Sequence, residues 1–347
     1  MKVLVVSNMG PKKANPTLGL FVDKQISFLA DKVSTLSYFY MKFNGDKTFH
    51  KLFKYPYFFI SFIYNYIFSL KKYDIIHIHY FYPTIYAALL YKYLRNADVK
   101  VIVTCHGGDI YCYSPPPKLY VKLSSLVDHW VFTSDALRSK FFSKVDNASV
   151  ICAGYDDRIF QYNPQAEKKY DCLLVGSLDL NKGLDRFIKL IKRYPTISFA
   201  AVGSGPYQQQ LSSLAVTSKN FTYLGSVDPK ELSLIVASSH LLLSLSRNES
   251  FGLVISEAHA LGVPCVATKT DGSSAQIQAL NFLVDQNDEE QVVNDIHKSL
   301  KSYLSLSQQQ QATIKLELSE QAKAFSLTFV SSKLYDCYVK LLGKKNV

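Results

Sequence analysis

Short runs of β-branched residues and leucine, each followed by a helix-length stretch, recur throughout this chain, and no other feature narrows its fold so far. In the first half the runs are KVLVVS (2–7), DIIHIHY (74–80), VKVIVTCHG (99–107) and HWVFTS (129–134). In the second they are YDCLLVGS (170–177), SFAAVGSG (198–205), FTYLG (221–225), HLLLSLS (240–246) and PCVATK (264–269). A strand that is apolar on both faces has to be covered on both, which is the situation in a parallel sheet with crossover helices. The expectation is α/β: two doubly wound domains, divided where polar and turn residues cluster in CAGYDDRIFQYNP (152–164). A length of 347 residues agrees, because one core usually stops growing below that size.

Charge is spread unevenly between these halves. Residues 1–150 carry 19 Lys/Arg against 9 Asp/Glu, a net of +10, and 30 of the 47 aromatic residues; residues 151–347 carry 20 against 19. A basic, aromatic first half suits an anionic partner surface, although a lysine-rich solvated face has the same composition. The six cysteines are scattered without a CxxC pair, as expected of reduced thiols in a cytoplasmic protein. The opening MKVLVVSNMG is a strand-like run too short for a secretory signal, and no apolar run reaches the roughly 20 residues of a spanning helix.

Ligands of doubly wound sheets bind beyond the carboxyl ends of the strands, so motifs at those ends carry the functional reading. The clearest is RNESFGLVISEAHALGVPCVAT (247–268), with seven residues between Glu249 and Glu257. Here a strand ends, RNES turns, and a helix is expected from Phe251 to Leu261, stopped by Gly262 and Pro264. Its mouth offers amides at Phe251, Gly252 and Leu253 to an anion, and Gly252 lets a ligand come close to the backbone. Glu249 is then beside the anion site, and Glu257 about 9 Å up the axis, at another part of one extended ligand. A nucleotide-diphosphate sugar has that shape: an anionic middle with hydroxyl groups at both ends. The plainer reading makes Glu249 a helix-start acid and Glu257 an exposed helical one.

E-x7-E after a strand, followed by A-x-A-x-G-x-P, resembles the retaining glycosyltransferases of family 4, which have the GT-B fold. VGSLDLNKGLDRFI (175–188), AVGSGPYQQQL (201–211), LGSVDPKEL (224–232), DGSSAQI (271–277), DIIHIHY and TCHGGDIY match further family segments in order. The resemblance covers nearly the whole chain and is weakest over 25–72. It implies two Rossmann-like domains facing an interdomain cleft: residues 1–155 on the acceptor side and residues 156–326 binding the nucleotide sugar. AFSLTFVSSKLYDCYVKLL (324–342) resembles the family's final helix, so 327–347 is expected to cross back to the first domain.

By this resemblance Gly19 lies against the donor diphosphate, Lys182 neutralises it, and Val227 lies in the loop framing the base. His106 is the active-site histidine beside the transferred sugar; Glu249 contacts that sugar, and Glu257 holds the ribose. Two positions depart from the family pattern. Ser177 replaces the usual arginine after Gly176, and Gly272, Ser273 and Gln276 replace G-G-x-x-E. The family's chemistry needs no metal and no cofactor beyond a UDP-linked donor, consistent with the lack of a DxD cluster. Other motifs carry less. His77 and His79 share one face of a strand but have no third ligand at metal spacing, which favours core or cleft-wall histidines. GSGPYQ (203–208) lacks the third glycine and the later acid of a dinucleotide fingerprint, which argues against an oxidoreductase, and no P-loop or nucleophile elbow occurs.

The expectation is a metal-independent retaining glycosyltransferase with a lipid-linked or glycan acceptor and no nucleic-acid partner. The alternatives are a non-catalytic nucleotide-sugar-binding subunit and a GT-B sugar-nucleotide epimerase. The acceptor reading rests on KLFKYPYFFISFIYNYIFSLKK (51–72), where nine residues are Tyr or Phe and Lys51, Lys54, Lys71 and Lys72 flank them. That composition suits the headgroup boundary of an anionic membrane, placing the protein peripherally on its cytoplasmic face; the plainer reading is a core-facing helix.

Overall fold

The computed structural model describes residues 1–11, 18–42, 48–278 and 282–343, with 48–51 described by backbone alone. Its contacts divide the chain into two compact units, Met1–Gly154 with Leu327–Val347, and Tyr155–Ser326.

The first unit runs β1 (Lys2–Ser7), α1 (Leu20–Leu29), β2 (Thr35–Tyr40), α2 (Thr48–Phe62), β3 (Ile75–His79), α3 (Phe81–Leu94), β4 (Lys100–Cys105), α4 (Gly108–Tyr111), α5 (Lys118–Ser124), β5 (His129–Phe132), α6 (Asp135–Ser139) and β6 (Ala148–Val150). The second runs β7 (Tyr170–Val175), α7 (Leu184–Arg193), β8 (Phe199–Val202), α8 (Gln208–Thr217), β9 (Phe221–Tyr223), α9 (Pro229–Ala237), β10 (Ser239–Ser244), α10 (Leu253–Ala260), β11 (Cys265–Thr268), α11 (Asp271–Gln276), β12 (Leu283–Val284), α12 (Glu289–Leu304) and α13 (Gln308–Ala322). A last helix, α14 (Leu327–Leu341), returns to the first unit, where it packs on α1.

Each unit has one six-stranded sheet, in the orders β2-β1-β3-β4-β5-β6 and β12-β11-β10-β7-β8-β9, and the strand pairs are parallel. In both, the order reverses beside the first strand, so two adjacent connections leave in opposite directions and open a crevice at the strand ends. The nine expected strands are all present. The three that the sequence pattern did not announce are β2, β6 and β12, and each is a sheet edge. An edge strand has one neighbour and is only partly covered. β2 and β6 accordingly have no fully buried residue, whereas every residue of β3 is buried.

Candidate functional site

In the first unit, the site residues gather at the carboxyl ends of β1, β3 and β4. Gly19 is the N-cap of α1 and lies against the backbone of Gly10, the nearest approach being 3.1 Å from an ideal Cβ position to the Gly10 Cα. His106 follows β4. Asp109 Oδ1 accepts the amides of His106 and Gly107, each at 3.0 Å, and so shapes the turn. The His106 ring is packed by Phe21 of α1, with centroids 4.9 Å apart, and by Tyr80, at 4.7 Å. His79 Nδ1 and His106 Nε2 are 3.0 Å apart. Burial lowers the His106 imidazole to about 3, so it is neutral at ordinary pH.

Neither Tyr80 nor Phe21 was found by sequence reasoning. Tyr80 is the only non-glycine residue with positive φ, at 67°, among the described residues. A tyrosine there is strained by about 1–3 kcal/mol, and such strain gathers at functional sites. Nothing in the letters DIIHIHY marks it.

The second unit assembles the donor-side candidates at the ends of β7 and β10. Lys182 donates its amide to Asp179 Oδ1 at 2.9 Å, and Asp179 Oδ2 accepts from the Ser177 hydroxyl at 2.7 Å. Ser177 therefore ties its own turn where the family pattern has a cation. The Lys182 ammonium is hydrogen-bonded to the Glu249 carboxylate. Glu249, expected beside the anion site, thus pairs with the lysine expected to meet the diphosphate. The two residues are 67 positions apart, and no sequence spacing brings them together.

The helix after Glu249 also begins later than expected. α10 starts at Leu253, because Gly252 adopts φ 77°, a left-handed conformation that interrupts the helix path. Of the three amides expected at its mouth, Leu253 alone is helical; Gly252 is the N-cap, and the Phe251 ring is buried edge-on against Phe325 at 5.7 Å. The turn is held from behind. Gly272 donates its amide to the Glu249 carbonyl at 2.9 Å, and the Gln276 carboxamide donates to the carbonyls of Phe251 and Gly252. Ser273 closes a capping box with Thr270. The departure at Gln276 thus braces the turn after Glu249, and that at Ser273 caps the helix that carries Gln276.

Glu257 is half-buried on α10 and makes no hydrogen bond or ion pair among the described residues, which corrects the picture of an exposed helical acid. Burial pushes its carboxyl up to about 8. An unpaired, desolvated carboxyl is costly unless something supplies hydrogen bonds, as a pair of hydroxyls does. Val227 sits half-buried in the loop between β9 and α9, against the core of this unit.

His77 and His79, left as core or cleft-wall histidines by the sequence, are both buried. His77 Nδ1 meets the Tyr338 hydroxyl and Nε2 meets Thr104 Oγ1, each at 2.7 Å. Among the described residues no group of three or more metal-ligating side chains clusters.

Comparison with known proteins agrees with this fold. The family model for glycosyl transferases group 1 matches residues 156–316, and that for Glycosyltransferase Family 4 matches residues 36–158. N-acetyl-alpha-D-glucosaminyl L-malate synthase of Bacillus anthracis is 28% identical over 231 residues, 59% of this chain and 59% of that protein. The O-antigen biosynthesis glycosyltransferase WclY of Escherichia coli is 23% identical over 263 residues, 69% of this chain and 73% of that protein. In fold, the chain is similar to Anabaena HepE, solved in complex with UDP-glucose, with a TM-score of 0.71, 16% identity and coverage of 98% of this chain and 100% of that one. The chain belongs to the GT-B glycosyltransferases, a family 4 domain followed by a group 1 domain.

Proposed function

We propose that this protein transfers a sugar, with retention of configuration and without a metal or other cofactor, from a UDP-linked donor to a membrane-linked glycan or lipid, as in cell-surface polysaccharide assembly. The observation that carries the donor reading is the pairing of Lys182, in the turn after β7, with Glu249, in the turn after β10, beside the helix that carries Glu257. A cation, a polar turn and an unpaired carboxyl are the groups that a diphosphate and its flanking hydroxyls call for, which supports this reading. Lys182 and the amides at the start of α10 stabilise the charge that grows on the departing diphosphate. Glu249 leaves Lys182 for the transferred sugar, Glu257 accepts from the ribose hydroxyls, and Val227 borders the base. Gly19 lies at the diphosphate and His106 at the transferred sugar. The acceptor hydroxyl attacks from the face the diphosphate leaves, and the diphosphate takes its proton. The WclY and HepE likenesses support this choice of pathway and donor.

The membrane reading is supported by α2 and the π-helical segment Ile63–Ile67 that extends it. Phe58 and Phe62 turn into the core, as the plainer reading expects. Phe53, Tyr57, Ile60, Tyr64 and Phe68, spaced three and four apart, form an exposed stripe on the other side; Tyr64 and Phe68 are each 77% exposed. Lys54, Lys71 and Lys72 flank it, and the Lys51 side chain lies outside the described residues. Among the described residues no helix is long and apolar enough to cross a membrane. The stripe therefore lies at the headgroup boundary of an anionic leaflet, with its lysines at the phosphates, and contacts no nucleic acid.

The test is incubation with UDP-sugars, with and without extracted lipid-linked acceptor, following UDP release and the anomeric configuration of the product. Acceptor-dependent release with a retained anomer is expected. Release without acceptor makes the protein an epimerase or hydrolase, binding without release makes it a non-catalytic subunit, and an inverted product rules out same-face attack.

A further inference from the structure

Three histidines from two neighbouring strands stand in a row inside the first unit, and the function above uses only the last. His77 and His79 are adjacent on one face of β3, with ring centroids 4.5 Å apart, and His79 reaches His106 at the end of β4. Both strand histidines are essentially without solvent contact. A phenylalanine would fill either place without a desolvated ring nitrogen, so packing alone does not call for imidazole.

We infer that His79, held in place by His77 and through it by Tyr338 of α14, is a positioning residue that fixes the ring and the tautomer of His106. This rests on the reading of His106 as a group at the transferred sugar.

The geometry leaves little choice. His79 Nδ1 and His106 Nε2 face each other at 3.0 Å with the ring planes 16° apart. Two neutral imidazoles at that distance share one hydrogen. Whichever ring donates, the donor or acceptor character of the second His106 nitrogen is decided with it. Burial lowers both imidazoles, so the pair stays neutral and the arrangement is not lost to protonation near neutral pH. His79 cannot swing away, because His77 lies against it, and His77 is pinned at both nitrogens, by Tyr338 and by Thr104. Thr104 also accepts the Tyr80 amide at 3.1 Å through its carbonyl, so the strained residue on the other side of His106 is fixed to the same strand. Phe21 completes the enclosure at 4.9 Å. A sugar hydroxyl meeting His106 then finds a ring already aligned, and misalignment of about 1 Å is worth up to a hundredfold in rate.

The experiment is 15N NMR of histidine-labelled protein, wild type, H79F, H79N and Y338F, each saturated with UDP, beside transfer kinetics and nucleotide affinity for the same set. In the wild type, His106 is expected in a single tautomer. H79F populates both tautomers and loses ten- to a hundredfold in kcat, while UDP affinity stays within twofold. H79N, whose side-chain terminus overlays Nδ1, keeps one tautomer and recovers most of kcat. Y338F removes a single buried oxygen and gives a smaller loss in the same direction. If H79F does not fold, H79N and Y338F read the same two quantities. Wild-type tautomer and kcat in H79F, or in Y338F where H79F is unfolded, overturns the inference; so does a uniform loss of activity in H79F and H79N with the tautomer unchanged. H106A separates this from the parent reading: full transfer by H106A removes His106 from the sugar site whatever its tautomer.

Discussion

At the scale of single residues, the pairing of Lys182 with Glu249 changes what mutation should do. A lysine already neutralised by a carboxylate offers a diphosphate less than a free one does, so removing Glu249 releases its charge to the nucleotide. E249A is expected to bind UDP as tightly as the wild type or several-fold more tightly, while losing transfer by a hundredfold or more. K182A should lose on both counts, since the diphosphate is held in ground and transition states alike. Calorimetric UDP titration beside initial rates checks this, and weaker UDP binding by E249A removes the proposed exchange of partners.

Glu257 gives a second test with a definite sign. Its folded carboxyl titrates near 8, above the ordinary 4.5, because burial disfavours the anion. Between those values the folded state holds a proton that the unfolded state has lost, so this group lowers stability as pH rises through the window. E257Q should therefore unfold with the wild type at pH 4.5 and at a higher temperature than the wild type at pH 8 and above. The wild type should also release protons on binding UDP near pH 7, if ribose hydroxyls stabilise the carboxylate, and E257Q should release none. Coincident melting of the two at pH 8.5 means that the carboxyl is solvated. Both acids could be picked out in the sequence from their places after a strand end, but neither the lysine partner of one nor the isolation of the other could, since both depend on long-range packing.

At the scale of elements, what the sequence revealed followed burial. Strands inside the sheets are apolar on both faces and stand out as runs; β2, β6 and β12 carry mixed, partly exposed faces and do not. α10 starts two residues after the position its sequence predicts, because Gly252 reads equally well as a helical residue or as a left-handed cap, and only the fold decides. Gly183 is the same kind of cap at the start of α7, with φ 70°, and an ideal Cβ there falls 2.1 Å from the Leu245 carbonyl oxygen. That contact joins the Lys182 turn to the strand that leads to Glu249. G183A combines left-handed strain of about 1–2 kcal/mol with a backbone clash. It should cost over about 2 kcal/mol in denaturant unfolding and weaken UDP binding in the surviving fold. An unaltered midpoint shows that the two loops are not held this closely.

At the scale of the whole molecule, the charge asymmetry and the exposed aromatic stripe point the same way. Co-sedimentation should occur with vesicles containing anionic lipid, weaken as salt rises, and drop when Lys54, Lys71 and Lys72 become glutamate, each cation near such a surface being worth about 1 kcal/mol. Tyr64→Ser with Phe68→Ser should weaken it without changing the salt dependence. Indifference of the wild type to anionic vesicles at low salt leaves a soluble acceptor as the better reading.

The return of α14 has a consequence of another kind. Tyr155 and Ser326 form a parallel bridge, and the Tyr155 amide is bound to the Phe325 carbonyl at 3.0 Å, so the second unit begins and ends at one point. Topologically it is an insertion: a closed module spliced into a first unit whose final helix is synthesised only after the module is complete. While the module is folded, the gap between Gly154 and Leu327 is bridged at almost no entropic cost. When it melts, the same gap becomes a long slack loop, and closing such a loop costs a few kcal/mol. The unit carrying His106 therefore inherits part of its stability from a domain to which that histidine does not belong, and a ligand that tightens the second unit also firms the first, through chain topology alone.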